Sequence, residues 1–361
     1  MGAAFERNHE SSTDVRNILR SGVQSQLHGD LEKAQAQYAR ALDTDPDNPI
    51  AENNLAFLYA QRGEYDRAIE SYERILAREP DRGTARSNLA LVLAARGDTE
   101  KAIVELQTAV ERDPNNVLAW DNLAKLMLAR GQLTEAERAW REALALAPRE
   151  PGLYHALGAV LASQGRYPEA LDATRKALAL DARRGPAWTQ LGVLLFLTHD
   201  LGSATDALRH ALSIAPEDAR SRYQLAMVLL ARGDEAAGVP ELERVLVVDP
   251  QHAAAQTDLA VLALAHGRAA EAIDRLAVVL KAQPGDTRAR YYRALALEAT
   301  GDLVGCREEL VALKSSAEGK YAELAQRHLS QPTAHPYGRE QERAPRRKSK
   351  TKRRSGTRTP D

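Results

Sequence analysis

The chain of 361 residues carries 49 Lys and Arg against 50 Asp and Glu, a formal net charge of −1, with 44% hydrophobic and only 5% aromatic residues. This near-neutral total hides an uneven division of charge along the chain. No run of 18 apolar residues exists to span a membrane, and the one cysteine, Cys306, excludes an internal disulfide framework and a cysteine-cluster metal site.

In chain order, residues 1–14 read as a flexible N-terminus. The opening, Met1 to Glu6, lacks the apolar core of a signal peptide, and Glu6 stands where N-myristoylation wants Ser or Thr. The expected localisation is cytoplasmic. From there the chain repeats every 34 residues: Gly29, Gly63, Gly97, Gly131, Gly165, Gly233, Gly267 and Gly301 keep one register, out of step only at His199. Pro46, Pro80, Pro114, Pro148, Pro216, Pro250 and Pro284 keep a second, missed at Ala182. Each glycine follows one apolar helical face and precedes another, as Leu55, Leu58 and Tyr59 precede Gly63 and Ala68, Tyr72 and Ile75 follow it. Glycine suits the left-handed residue after a helix, and the Asn48-Pro49 pair suits an N-cap and a first helical position.

The period predicts nine helix-turn-helix repeats over 15–315: 15–48, 49–82, 83–116, 117–150, 151–184, 185–218, 219–252, 253–286 and 287–315. Around Ala182 the register slips, and Thr174 weakens the fifth repeat's core. Pro240 should kink or delay the second helix of the seventh. A capping helix is expected at 316–330, and 331–361 reads as a disordered basic tail. Residues 332–361 hold ten Lys or Arg against three Asp or Glu, a net of +7 that leaves −8 for the remainder. Its densest run holds Arg346, Arg347, Lys348, Lys350, Lys352, Arg353 and Arg354. Such a segment buries too little apolar surface to fold alone.

The fourth repeat, with Trp120, Leu123, Ala124, Met127, Gly131, Ala136, Trp140, Ala143 and Pro148, resembles the tetratricopeptide (TPR) repeat. The resemblance covers most of residues 15–315 and implies an all-α fold, a right-handed α-α superhelix whose inner surface comes mainly from the first helix of each repeat. The small residue of the second helix recurs as Ala34, Ala68, Ala102, Ala136, Ala170, Ala204 and Ala272, with Gly238 and Cys306 as departures.

Projected onto this sequence, the resemblance implies an inner row Leu19, Asn53, Ser87, Asp121, His155, Thr189, Tyr223, Thr257 and Tyr291, mostly polar. One turn on lies an apolar row, Val23, Phe57, Leu91, Lys125, Ala159, Val193, Met227, Val261 and Leu295. One polar and one apolar edge suit an extended peptide. Asn54, Asn88 and Asn122, followed later by Gln190 and Gln224, resemble the asparagine ladder of the O-GlcNAc transferase superhelix, without that family's catalytic region. A carboxamide both donates and accepts, so it can pair with any peptide backbone. The carboxylate clamp of chaperone-binding TPR domains needs Lys, Asn, Asn, Lys and Arg over three consecutive repeats. Here Asn53 replaces the first Lys, and Arg16, Arg220 and Arg288 occupy one clamp position in scattered repeats.

The nine histidines show no paired metal-ligand spacing and no phosphate-binding loop appears, so neither catalytic residues nor a metal nor a cofactor are expected. The reading is a non-enzymatic scaffold or adaptor binding an extended peptide or partner protein. Two alternatives stand beside it: a nucleic-acid- or ribosome-associated factor using the basic tail, which also suits an anionic surface, and a regulatory subunit of a separate glycosyltransferase or other enzyme. The oligomeric state is not legible.

Overall fold

The structure is a computed structural model that describes residues 2–316 and 319–330. Among the described residues all regular structure is α-helix. The first four pairs are α1 (Gly2–Leu27) with α2 (Leu31–Thr44), α3 (Pro49–Gln61) with α4 (Tyr65–Arg78), α5 (Gly83–Arg96) with α6 (Thr99–Arg112), and α7 (Val117–Ala129) with α8 (Leu133–Leu146). Then come α9 (Pro151–Ser163) with α10 (Tyr167–Leu180), α11 (Gly185–Leu197) with α12 (Leu201–Ile214), and α13 (Ala219–Ala231) with α14 (Glu235–Val248). The last are α15 (Ala253–Ala265) with α16 (Ala269–Ala282), α17 (Thr287–Thr300) with α18 (Leu303–Ser316), and α19 (Lys320–Ser330). This is the paired-helix architecture of a TPR solenoid.

From α3 onward both helices of each pair open at intervals of 34 residues. The turn glycines enforce the register: Gly63 and Gly131 sit at φ +74° and +73°, where a Cβ would be strained. His199 takes the same conformation at φ +65°, the one non-glycine residue to do so among the described residues, while Asp200 caps α12 by accepting from Ser203 N at 3.1 Å. The His199-Asp200 pair is therefore a turn variant that keeps the glycine's geometry.

First helices open on an acceptor in six of eight pairs: the side chains of Asn48, Asn116, Glu150, Asp218, His252 and Asp286 each accept from the first turn. Arg82 and Arg184 hold that place before α5 and α11 and make no such cap. A second device joins six of these eight pairs to the residues before them. The fourth residue of the first helix donates to the carbonyl six residues back: Arg86 to Pro80, Trp120 Nε1 to Pro114 at 2.9 Å, Trp188 Nε1 to Ala182 at 2.8 Å, Arg222 to Pro216, Gln256 to Pro250, and Arg290 to Pro284. The proline register therefore tolerates Ala182, because what the contact uses is the carbonyl and not the ring.

The core follows the same period. Ala34, Ala68, Ala102, Ala136, Ala170, Ala204 and Ala272 are all 0% exposed, which lets paired helices approach closely, and one turn on Tyr38, Tyr72, Leu106, Trp140, Leu208, Leu242, Leu276 and Leu310 fill the space. Each such large side chain contributes about 2 kcal/mol through its burial. Thr174 is the small member of this row, yet it is fully buried and donates to Ala170 O at 2.8 Å. Gly158 lies against it so closely that a Cβ there would fall 2.7 Å from its hydroxyl. The smaller filler is matched by closer backbone, so the expected weakness is a closed contact.

Two further expectations are corrected. The first helix reaches back to Gly2, taking in residues read as a flexible end, because 3–14 contain neither proline nor glycine to stop it. Pro240 does not delay α14, which opens in register at Glu235 and runs to Val248. Asp234 secures its first turn, accepting from Ala237 N at 3.1 Å and from Gly238 N at 2.9 Å, and the fixed φ of proline suits a helix.

The chain packs as two compact parts, Met1–Glu241 and Leu242–Asp361. In the first, each second helix packs on its own first helix and on the next one, as α4 does on α3 and α5, while α3 touches α5, α5 touches α7, α9 touches α11, and α11 touches α13. The first helices therefore form a layer of their own. In the second part α15 through α18 repeat the pairing, and α19 closes it by placing buried Ala325 against Ala294, Cys306, Leu310 and Leu313. The basic run from Arg346 to Arg354 lies outside the described residues.

Candidate peptide-binding surface

Within the first part, the layer of first helices divides into two stretches. From α3 to α7 the polar row is largely engaged with itself. Asn88 donates to Asn53 Oδ1 at 3.3 Å. Asp121 accepts from Trp140 Nε1 at 2.9 Å through one oxygen and holds Lys125 Nζ at 2.7 Å with the other. Ser87 is 1% exposed and Asn122 5%, and both carry a buried polar atom without a partner. Of the three asparagines read as a ladder, Asn54 and Asn88 are half-buried on this layer and Asn122 is buried. Beside them Phe57 and Leu91, one turn on, are 47% and 43% exposed, two large apolar side chains left in water on neighbouring helices.

From α9 to α13 the layer opens into a cavity of about 610 Å³. Its polar end holds His155, Gln190 and Arg220, and its apolar wall is formed by Ala159, Ala162, Val193 and Leu197. With its amide oriented so that both ends are satisfied, Gln190 donates to His155 Nδ1 at 2.8 Å and to the His155 carbonyl at 3.2 Å, and accepts from Ala159 N at 2.6 Å. The imidazole thus carries its own hydrogen on Nε2. Burial, with the positive charges of Arg184 and Arg220 beside it, holds the His155 pKa below the ordinary imidazole value, so the ring is kept neutral. Thr189 is buried, its hydroxyl 2.6 Å from that of Ser221, which in turn bonds Asp218. Sequence reasoning placed His155 and Gln190 at this surface; Arg184 escaped it, because it stands before the helix and not on the inner row.

The remaining members of the row are half-buried: Tyr223, Gln224 and Met227 on α13, and Tyr291 on α17 in the second part. Thr257 is 2% exposed. Of the scattered cations, Arg288 pairs with Asp258. One group of metal-ligating atoms went unseen in the sequence: Glu298, Cys306 and His328 bring a carboxylate oxygen, a thiol and an imidazole nitrogen within 4.8 Å of one another. The helices that carry them are separate in sequence, so no spacing announces the group. His328 Nε2 lies 3.1 Å from a Glu298 carboxylate oxygen, and Cys306 takes the place of the recurrent core alanine, with burial and the nearby Glu298 and Asp302 raising its pKa. No helix among the described residues is long and apolar enough to cross a membrane.

The chain belongs to the tetratricopeptide-repeat family described as the cilia and flagella-associated protein 70 C-terminal domain, whose model matches residues 48–246. A second model, described as tetratricopeptide repeat, matches residues 229–298. Among solved structures it is similar to a chain of the APC/C hetero-tetramer Cut9-Hcn1, at 19% identity and a TM-score of 0.58 over 74% of this chain and 52% of that one. It is also similar to a tetratricopeptide repeat protein from Parabacteroides merdae, at 16% identity and a TM-score of 0.57 over 68% of this chain and 97% of that one. A third is PilF from Pseudomonas aeruginosa, at 22% identity and a TM-score of 0.51 over 61% of this chain and 99% of that one. The chain spans about half the length of the Cut9-Hcn1 chain it matches. At these identities the likeness is one of fold. No curated protein matches the chain. The likeness to the O-GlcNAc transferase array is not shown by these matches. TPR domains generally serve as protein–protein interaction modules.

Proposed function

We propose that the chain is a non-enzymatic scaffold or adaptor, working in the cytoplasm, that holds an extended segment of a partner protein along its layer of first helices. The observation that carries this reading is the exposure of Phe57 and Leu91 on adjacent helices, 47% and 43%, beside the half-buried carboxamides of Asn54 and Asn88. Apolar side chains of an extended segment would cover the first pair, and its backbone would meet the amides. Crosslinking mass spectrometry of the full chain in extract from its own cells tests it. Crosslinks from α3 and α5 to a partner should disappear in the double variant Phe57→Asp, Leu91→Asp, while its thermal midpoint stays within a few degrees of the parent. A crosslink map unchanged by the two substitutions would remove the reading.

The family match favours a second, narrower reading, that the partner belongs to a cilium or flagellum. Co-sedimentation of the chain with isolated cilia or flagella, weakened by the same double variant, would support it; absence of the chain from the pellet would count against it.

A further inference from the structure

We infer that Glu298, Cys306 and His328 form a binding site for a zinc ion that fastens the capping helix α19 to the last repeat. The inference is independent of the peptide-binding reading and concerns the second compact part of the chain.

Each of three helices supplies one ligand. Glu298 lies in the last turn of α17, Cys306 is the fourth residue of α18, and His328 lies in the last turn of α19. Their carboxylate oxygen, sulfur and imidazole nitrogen stand within 4.8 Å of one another, and His328 Nε2 is 3.1 Å from Glu298. Zinc bonds of about 2.0–2.3 Å in a tetrahedron place such atoms roughly 3.5 Å apart, so small side-chain rotations close the set and leave a fourth position for water. The sulfur is the inner wall of the site. Cys306 is 5% exposed, while the His328 and Glu298 side chains are 26% and 37% exposed and leave an entry from solvent.

The surroundings favour a cation. Seven second helices carry Ala at the place of Cys306, so packing alone asks for no sulfur there. The charges that act on the thiol are those of Glu298 and Asp302. Among the described residues no lysine or arginine pairs with Glu298, and Arg327, beside His328 in sequence, is held by Glu323 at 3.4 Å. The last turns of α17 and α19 meet here, and the negative ends of both helix dipoles add to the pull on a cation. The donor types select the ion. Calcium and magnesium want oxygen alone and iron–sulfur clusters want several cysteines, whereas one sulfur, one nitrogen and one oxygen suit zinc. On binding, the Cys306 S–H bond breaks, its proton goes to solvent, and the sulfur electron pair forms the bond to zinc. A thiolate, a carboxylate and a neutral imidazole then cancel the ion's charge, as a half-buried site requires. The ion would also complete the anchoring of α19, in which Ala325 alone is buried: Tyr321 rests on Tyr291 at 5.7 Å in its first turn, and zinc would hold its last.

Zinc itself and cobalt(II), its coloured substitute, are the probes, added to the full chain after it has been reduced and stripped of metal with a chelator. Cobalt titration should saturate with a thiolate-to-cobalt charge-transfer band in the near ultraviolet, and zinc should displace it. Cys306→Ala installs the residue that seven other repeats carry, so it should fold; it should remove that band and weaken zinc binding by about a hundredfold. Glu298→Gln and His328→Gln, at half-buried positions, should each weaken zinc by at least about tenfold in competition with a chelating dye. Zinc should slow hydrogen exchange in α19 and raise the thermal midpoint of the parent, and do neither in Cys306→Ala. Equal zinc affinity in the parent and Cys306→Ala, or a cobalt spectrum without the charge-transfer band, would overturn the site and leave an adventitious ion only. Unchanged exchange in α19 at saturating zinc would overturn the fastening of the capping helix.

Discussion

Along the layer of first helices, the stretch from α3 to α7 and the stretch from α9 to α13 carry similar polar residues and differ in what those residues already hold. In the first, Asn53 and Asn88 bond each other, Asp121 serves Trp140 and Lys125, and Asn122 is packed away. In the second, Arg220, Asp218, Gln190 and His155 line an open cavity, and burial, with the charges of Arg184 and Arg220 beside it, holds the imidazole neutral. A polar side chain on an inner row is thus weak evidence for a ligand. Unmet hydrogen-bonding capacity beside open volume is stronger evidence.

The contrast can be broken at several points. If Asp121 is structural, Trp140→Ala should destabilise the chain by about 3–5 kcal/mol in a denaturant titration, and Trp140→Phe, which keeps the ring and loses the N–H, by about 1 kcal/mol. A cost-free Trp140→Phe would release Asp121 for ligand binding and erase the difference between the stretches. In the second stretch, Gly158→Ala should lose about 1–3 kcal/mol by the same measurement, since its Cβ would meet Thr174 Oγ1 at 2.7 Å and the Ala170 carbonyl at 3.3 Å. An unaffected midpoint would mean that α9 and α10 part easily. His199→Gly should add about 1 kcal/mol of stability by relieving a left-handed residue of its Cβ, leaving peptide affinity unchanged. Asn122→Ala should change stability by less than about 1 kcal/mol, because removing an unsatisfied buried amide offsets the lost packing; weakened peptide binding in this variant would restore it to the ladder.

The smallest effect is a pH dependence. The folded chain holds the His155 ring neutral, so the unfolded chain takes up its proton first. Its influence is absent well above about pH 6.5, and stability falls as the pH drops below that value. His155→Gln should flatten this part of a plot of thermal midpoint against pH.

The fold was legible because the period is written twice, in residues whose conformations are restricted. A glycine at Gly63 and an Asn-Pro pair at 48–49 each admit few backbone geometries, so their recurrence locates turns and caps. The surface was less legible. Projecting one position from repeat to repeat put Ser87, Thr189 and Thr257 in line with Asn53 and His155, yet the short hydroxyl side chains end between helices while the longer ones reach the face. Side-chain length, and not polarity, decided which members are available. Arg184 was missed for another reason: it occupies a capping place, where the sequence signal is the absence of an acceptor.

The donor at the fourth place of six first helices bears on where such an array can be divided. Arg86, Trp120, Trp188, Arg222, Gln256 and Arg290 each reach back to a carbonyl that belongs, by helix count, to the pair before. A fragment cut at Val117 would leave the Trp120 indole N–H without its acceptor, and one begun at Pro114 would keep it. The module that can be excised, duplicated or grafted is therefore offset from the helix pair by about one turn of chain, and its edge is the proline carbonyl.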